Sequence, residues 1–162
     1  MRVLAVDPGY EKMGVAILEK KQGERETLIF SECFKTSAKL PHSKRLELIG
    51  QEIALVIKNF KPEALAIEKL FFTTNQKTAF QVAEARGVII YEATAAGLRV
   101  VEFTPLQAKV AVTGYGRGTK DQIKFMTEKL IAINKKIKED DEYDAIALGL
   151  TYFAYEKQIY KK

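Results

Sequence analysis

Apolar residues in this chain follow two rhythms, and the switches between them predict its elements. Val3, Leu4, Ala5 and Val6 follow one another without a break. A short apolar run with β-branched residues fits a strand buried on both faces. It stops at Asp7, and Pro8-Gly9 turns the chain. Gly14–Leu18 and Thr27–Phe34 read as further strands around a polar turn at Lys20–Arg25, and such short connections predict an antiparallel meander. Pro41 then opens a helix to about Phe60, because Leu46, Ile49, Ile53, Val56 and Ile57 recur at three- and four-residue steps. Pro62 ends it, and Ala64–Ile67 is a fourth strand closed by Glu68. A helix between strands implies a right-handed crossover and a parallel neighbour, so Glu68 is expected at the same sheet edge as Asp7.

Thr73–Gly97 reads as a long helix whose apolar residues do not keep to one face. Its second side meets either a second subunit through a two-fold interface or other helices of the same chain. Leu98–Phe103 is a fifth strand, and Pro105 opens a helix to about Thr113. A glycine-rich loop over 114–118 precedes Thr119-Lys120-Asp121-Gln122, which reads as a capping box. A charged connection over Lys135–Glu142 leads to an apolar closing helix, Asp144–Tyr155, with acids from Asp140 at its mouth. The order βββαβαβααα predicts an α/β fold: a mixed five-stranded sheet with helices on both faces, as a single domain over 1–162.

Composition narrows the function classes. The chain has 162 residues, 47% of them hydrophobic and 29% charged, as in an ordinary soluble globular protein. A net charge of +5 points to a polyanionic partner such as nucleic acid, or to a basic surface with no such role. No apolar run approaches the ~20 residues of a membrane span. Cys33 is the single cysteine, so no disulfide can form within the chain; with no signal peptide at the start, a cytoplasmic location is expected. One cysteine in a strand-like run and one histidine, His42, at a helix start cannot build a zinc site; Cys33 reads as packing and His42 as a surface residue.

The candidate chemistry is carboxylate chemistry. Asp7 alone is ordinary turn chemistry, and acids opening a helix are ordinary caps. Together they can do more. Asp7 and Glu68 end neighbouring strands, while Asp141 and Asp144, three apart, share one face of a helix that must pack on that sheet. Two like charges ~4 Å apart cost about 4 kcal/mol at an effective dielectric of 20. Divalent cations relieve such crowding, and oxygen-only ligands select Mg²⁺ or Mn²⁺. A pair of ions so held suits phosphodiester hydrolysis, with Asp7, on the central strand, as the ligand shared by both.

The same residues carry a resemblance. Asp7-Pro8-Gly9 with Gly14, Ile67-Glu68 followed by Phe71-Phe72, Ala85-Arg86-Gly87, Val112-Thr113-Gly114-Tyr115-Gly116 with Lys120, and the Asp141-to-Asp144 helix start resemble the RuvC-type Holliday-junction resolvases almost end to end. The resemblance implies a ribonuclease-H-like fold and a homodimeric, Mg²⁺-dependent endonuclease that nicks opposed strands of a four-way DNA junction. It also implies work alongside a branch-migration motor of the RuvA and RuvB type. By position, Asp7, Glu68, Asp141 and Asp144 take the family's acidic tetrad, with Lys120 also assigned to catalysis. Lys109 and Lys120 match its basic residues near the cut phosphate, and Phe71 matches an aromatic that meets bases at the junction centre. Arg117, in the loop that could close over DNA, joins them as a DNA contact, and Phe72 is expected to be buried. The chain departs from the pattern at Val15-Ala16, where an aromatic-Gly pair is frequent, and at Lys69, where Gln or Glu is usual. Two other readings stay open: a related nuclease acting on ribosomal RNA precursors, and a nucleic-acid-binding module whose acids are only caps.

Overall fold

The computed structural model describes residues 1–70 and 76–160, with side chains from 78 onward in the second segment. The elements run β1 (Arg2–Asp7), β2 (Lys12–Glu19), β3 (Thr27–Lys35), α1 (His42–Phe60), β4 (Ala64–Glu68), α2 (Gln76–Ala95), β5 (Arg99–Phe103), α3 (Pro105–Thr113), α4 (Lys120–Leu130) and α5 (Asp140–Ile159). The strands form one sheet in the order β3-β2-β1-β4-β5. β1, β2 and β3 pair antiparallel, whereas β4 lies parallel to both β1 and β5. The expected meander and crossovers are therefore both present, with β1 at the centre.

Alternation along the strands divides the core in two. Val3, Ala5, Ala16, Leu18, Ala64 and Ala66 face α3, α4 and α5, while Leu4, Val6, Val15, Ile17, Leu65 and Ile67 face α1 and α2. The first set is rich in alanine, and small side chains let a helix come close. α5 uses that space: Ala145, Ile146, Ala147, Leu148 and Tyr152 are buried on it. A Cβ on Gly149 would sit 2.4 Å from Leu18. The unusual Val15-Ala16 pair is core on both sides of the sheet.

Three expectations are refined. α5 starts at Asp140 and continues to Ile159, four residues beyond the apolar stretch that predicted it. α2 is covered on two sides in part: Ala85, Ile89 and Ala93 face the sheet, and Val88 packs toward Gly50 of α1. Beyond them Phe80 and Tyr91 stay exposed, and Leu46, Ala54, Val88 and Tyr91 line a groove between α1 and α2. His42 is only half-buried; it pairs with Glu84 and sits 5.1 Å from the Tyr10 ring, so it belongs to a small cluster instead of standing free on the surface. Among the described residues no helix is long and apolar enough to cross a membrane.

Candidate metal and DNA site

The site grows from the end of the central strand. Val6 pairs with Ile67 in parallel register, so Asp7 and Glu68 come next on adjacent strands. On the other side Asp7 pairs with Gly14 of β2. A Cβ built on Gly14 would lie 1.8 Å from the main-chain oxygen of Asp141. The missing side chain thus lets the first turn of α5 rest on β2 directly opposite Asp7. Asp144, one turn on, lies on the same side of the helix.

Electrostatics shows that these acids feel one another. The Asp7 carboxyl is pushed well above the usual carboxylate range, first by burial, then by Glu68, Asp144 and Asp141. Glu68 is raised by burial and by Asp144, and Asp144 by burial, against the opposing pull of Lys120, with Asp141 and Asp140 adding to the rise. Two lysines counter the cluster. Lys109 of α3 lowers Glu68 and Asp144, and Lys120 lowers Asp7 and Asp144. Lys120 is the first residue of α4, whose start is set by the expected box: Gln122 N–H donates to Thr119 Oγ1 at 3.3 Å and Thr119 N–H to Gln122 Oε1 at 2.9 Å. Thr104 and Gln107 build the same device at the start of α3, which carries Lys109.

Several supporting contacts were beyond sequence reasoning because they depend on register. Glu139, just before α5, accepts from Lys12 at 2.6 Å and from Lys35, and these two bonds, that of Lys12 first, hold its carboxyl down at about 2. Glu142, buried, accepts from Ser31 at 2.6 Å and pairs with Lys135 at 2.5 Å. These pairs seat the first turn of α5 on β2 and β3. Arg45, buried in α1, donates to Thr36 at 2.8 Å and to the Tyr10 carbonyl at 3.3 Å, with its guanidinium 3.5 Å from the centre of the Tyr10 ring. It braces the turn that follows Asp7.

Among the described residues, the group of three metal-ligating side chains whose ligand atoms lie within 4.8 Å of one another is Cys33, Glu139 and Asp141; no three of Asp7, Glu68, Asp141 and Asp144 close to that distance. Both Glu139 oxygens are engaged by lysines, and burial with Asp141 and Glu139 pushes the Cys33 thiol up to about 11, so this is an ion-pair network around an inert thiol. The glycine-rich loop expected to be able to close over DNA packs on α3: a Cβ on Gly116 would meet Leu106 at 2.6 Å, and Thr113 Oγ1 donates to the Tyr115 carbonyl at 2.7 Å. Arg117 is exposed there, and Lys69 is exposed beyond β4. Phe71 and Phe72 lie outside the described residues.

Comparison with known proteins follows the same outline. Residues 3–152 match the family described as Crossover junction endodeoxyribonuclease RuvC. The chain belongs to the RuvC family. It is 41% identical to a RuvC of Halothermothrix orenii over 94% of this chain and 92% of that protein. A RuvC of Moorella thermoacetica is 37% identical over 96% and 92%. Thermus thermophilus RuvC in complex with Holliday junction substrate superimposes with a TM-score of 0.90 at 29% identity, covering 98% of this chain and 96% of that one. The yeast mitochondrial Holliday junction resolvase Ydc2, at 11% identity and a TM-score of 0.70, shares the fold alone. The RuvC sheet and its flanking helices are the ribonuclease-H-like architecture expected of the chain.

Proposed function

We propose that this protein is an endodeoxyribonuclease that resolves four-way DNA junctions by paired, symmetric nicks, with Asp7, Glu68, Asp141 and Asp144 as its Mg²⁺ ligands. One observation carries the site: register sets Asp7 beside Glu68, and Gly14, the partner of Asp7, seats the main chain of Asp141, so β1, β4 and the first turn of α5 bring their acids to one sheet edge. That donor set fits hard divalent cations. It is all oxygen, and each of Asp7, Glu68 and Asp144 is pushed toward its neutral form, a penalty that a cation between them removes. Mg²⁺ held there, two ions per site, would supply the charge that activates water and steadies the leaving oxygen.

The protein's own share is positional. Asp7, on the central strand, is suited to be the ligand common to both ions. Lys120 adds its charge to the free N–H groups of the α4 start, a good seat for the scissile phosphate, and Lys109 completes the basic side. Arg117 and Phe71 would extend the contact to the junction, Phe71 by stacking on an unpaired base. Opposed nicks need two sites, so the protein acts as a homodimer; the groove between α1 and α2, with Tyr91 exposed in it, supports that reading. The branch-migration motor rests on family resemblance alone.

The test is a synthetic four-way junction, with linear duplex and structured RNA alongside. Symmetric nicks in Mg²⁺, confined to the junction, are expected; preference for RNA would favour the ribosomal-precursor reading. Ca²⁺ should allow binding without cutting, because its looser geometry orients water poorly. Asp7→Asn should abolish cleavage and leave junction binding intact; cutting at near wild-type rate would overturn the site assignment.

A further inference from the structure

The Ala85-Arg86-Gly87 stretch has no role in the site as built so far. Ala85 is buried against the sheet, which leaves Arg86 on the flank of α2, its side chain only 16% exposed. Its Nε donates to the main-chain oxygen of Glu68 at 3.1 Å, and its Nη2 pairs with Glu102 of β5.

The need for that donor follows from the sheet. Lys69 N–H donates to the Phe103 oxygen on β5 at 2.8 Å. In a trans peptide the carbonyl points opposite to the N–H, so the Glu68 oxygen is directed toward β1. The ladder there ends at the Val6–Ile67 pair. The residue whose N–H would continue it is Pro8, which has none. The turn that ends β1 at Asp7 therefore deprives Glu68 of its ladder partner, and a guanidinium from α2 takes the vacant role.

We propose that Arg86 is a positioning residue for Glu68: it fixes the peptide plane from which that carboxylate projects, and Glu102 absorbs its charge. The second half matters. The causes that move Glu68 are burial, Asp144 and Lys109, and Arg86 is not among them. A guanidinium bonded to the main chain and neutralised by Glu102 orients the ligand without competing with a cation for its oxygens. Outer contacts of this kind change metal affinity by about 10-fold or more when removed.

This inference rests on the metal site proposed above, and Mn²⁺ binding followed by electron paramagnetic resonance tests both, independently of cleavage. Arg86→Met, which keeps bulk and removes every donor, should weaken Mn²⁺ binding about 10-fold. Junction affinity in Ca²⁺ should stay within about twofold, and cleavage should recover at high Mn²⁺. Arg86→Lys, which can serve the carbonyl or Glu102 but not both, should fall between, and it decides the matter if the methionine variant does not fold. Glu102→Gln should also weaken Mn²⁺ binding, by freeing the guanidinium to reach the Glu68 carboxylate. Unchanged Mn²⁺ affinity in the Arg86 variants, or a loss confined to junction binding, overturns the role of Arg86. Absence of Mn²⁺ binding in the wild type, or its persistence in Asp7→Asn, overturns the site itself.

Discussion

At position 14 a single methyl group would collide with the main chain that carries Asp141. The obstacle is a carbonyl oxygen 1.8 Å from the ideal Cβ, not the end of a flexible side chain, so relief must come from moving α5 or bending β2. Gly14→Ala should cost about 1–3 kcal/mol, the usual toll of overpacking, and should weaken Mn²⁺ binding as well. Thermal denaturation and metal titration together check it. A second residue-scale outcome lies away from the site. Glu32 of β3 lies near Glu52 of α1, and burial first, then that neighbouring carboxyl, raises its pKa to about 7 from 4.5. One Glu32 oxygen is buried without a hydrogen-bond partner, so ionising Glu32 leaves a poorly solvated charge near a second carboxyl. The folded state then binds the Glu32 proton more tightly than the unfolded chain. The resulting stability is fully present below about pH 4.5 and is lost as pH rises through about 7. Glu32→Gln should raise the melting temperature at pH 8, leave it little changed at pH 5, and flatten the profile between, as read by calorimetry.

Elements with strong local chemistry were legible from sequence. Pro105 and the Thr119–Gln122 pair mark α3 and α4, and both helices begin where those residues said. Thr119→Ala removes the cap of α4; a loss of about 1 kcal/mol in denaturant unfolding is expected, with weaker junction binding as Lys120 loses its fixed first turn. The apolar runs marked β1 and β4 because a strand covered on both faces needs no alternation to be recognised. The edge strands β3 and β5 were legible to within one residue at each end, whereas β2 starts two residues before Gly14 and α5 runs four residues past its apolar stretch, because the polar residues there carry no rhythm. Of the candidate site, the acids could be named from position in the elements, and Lys109 and Lys120 from the resemblance. The contacts of Arg45, Glu139, Glu142 and Arg86 could not, because each acts on a partner chosen by register and helix placement, which no local pattern records.

On the scale of the whole molecule, the two faces of the sheet divide the work. α3, α4 and α5 carry the lysines and two of the acids, while α1 and α2 present the groove around Tyr91, itself 69% exposed. Tyr91→Glu should lower the sedimentation mass toward that of a single chain and turn paired nicks into unpaired ones, while Mn²⁺ binding per chain stays as in the wild type. The alanine-lined face has another consequence. α5 follows every other element in the chain, yet it fills the middle of that face and brings Asp141 and Asp144 to Asp7. Without α5 that face stays open and two of the four proposed ligands are missing. On the site proposed above, a chain cut before Asp140 should therefore lose Mn²⁺ binding and cooperative unfolding together, because one helix supplies both the cover of that face and two of the acids.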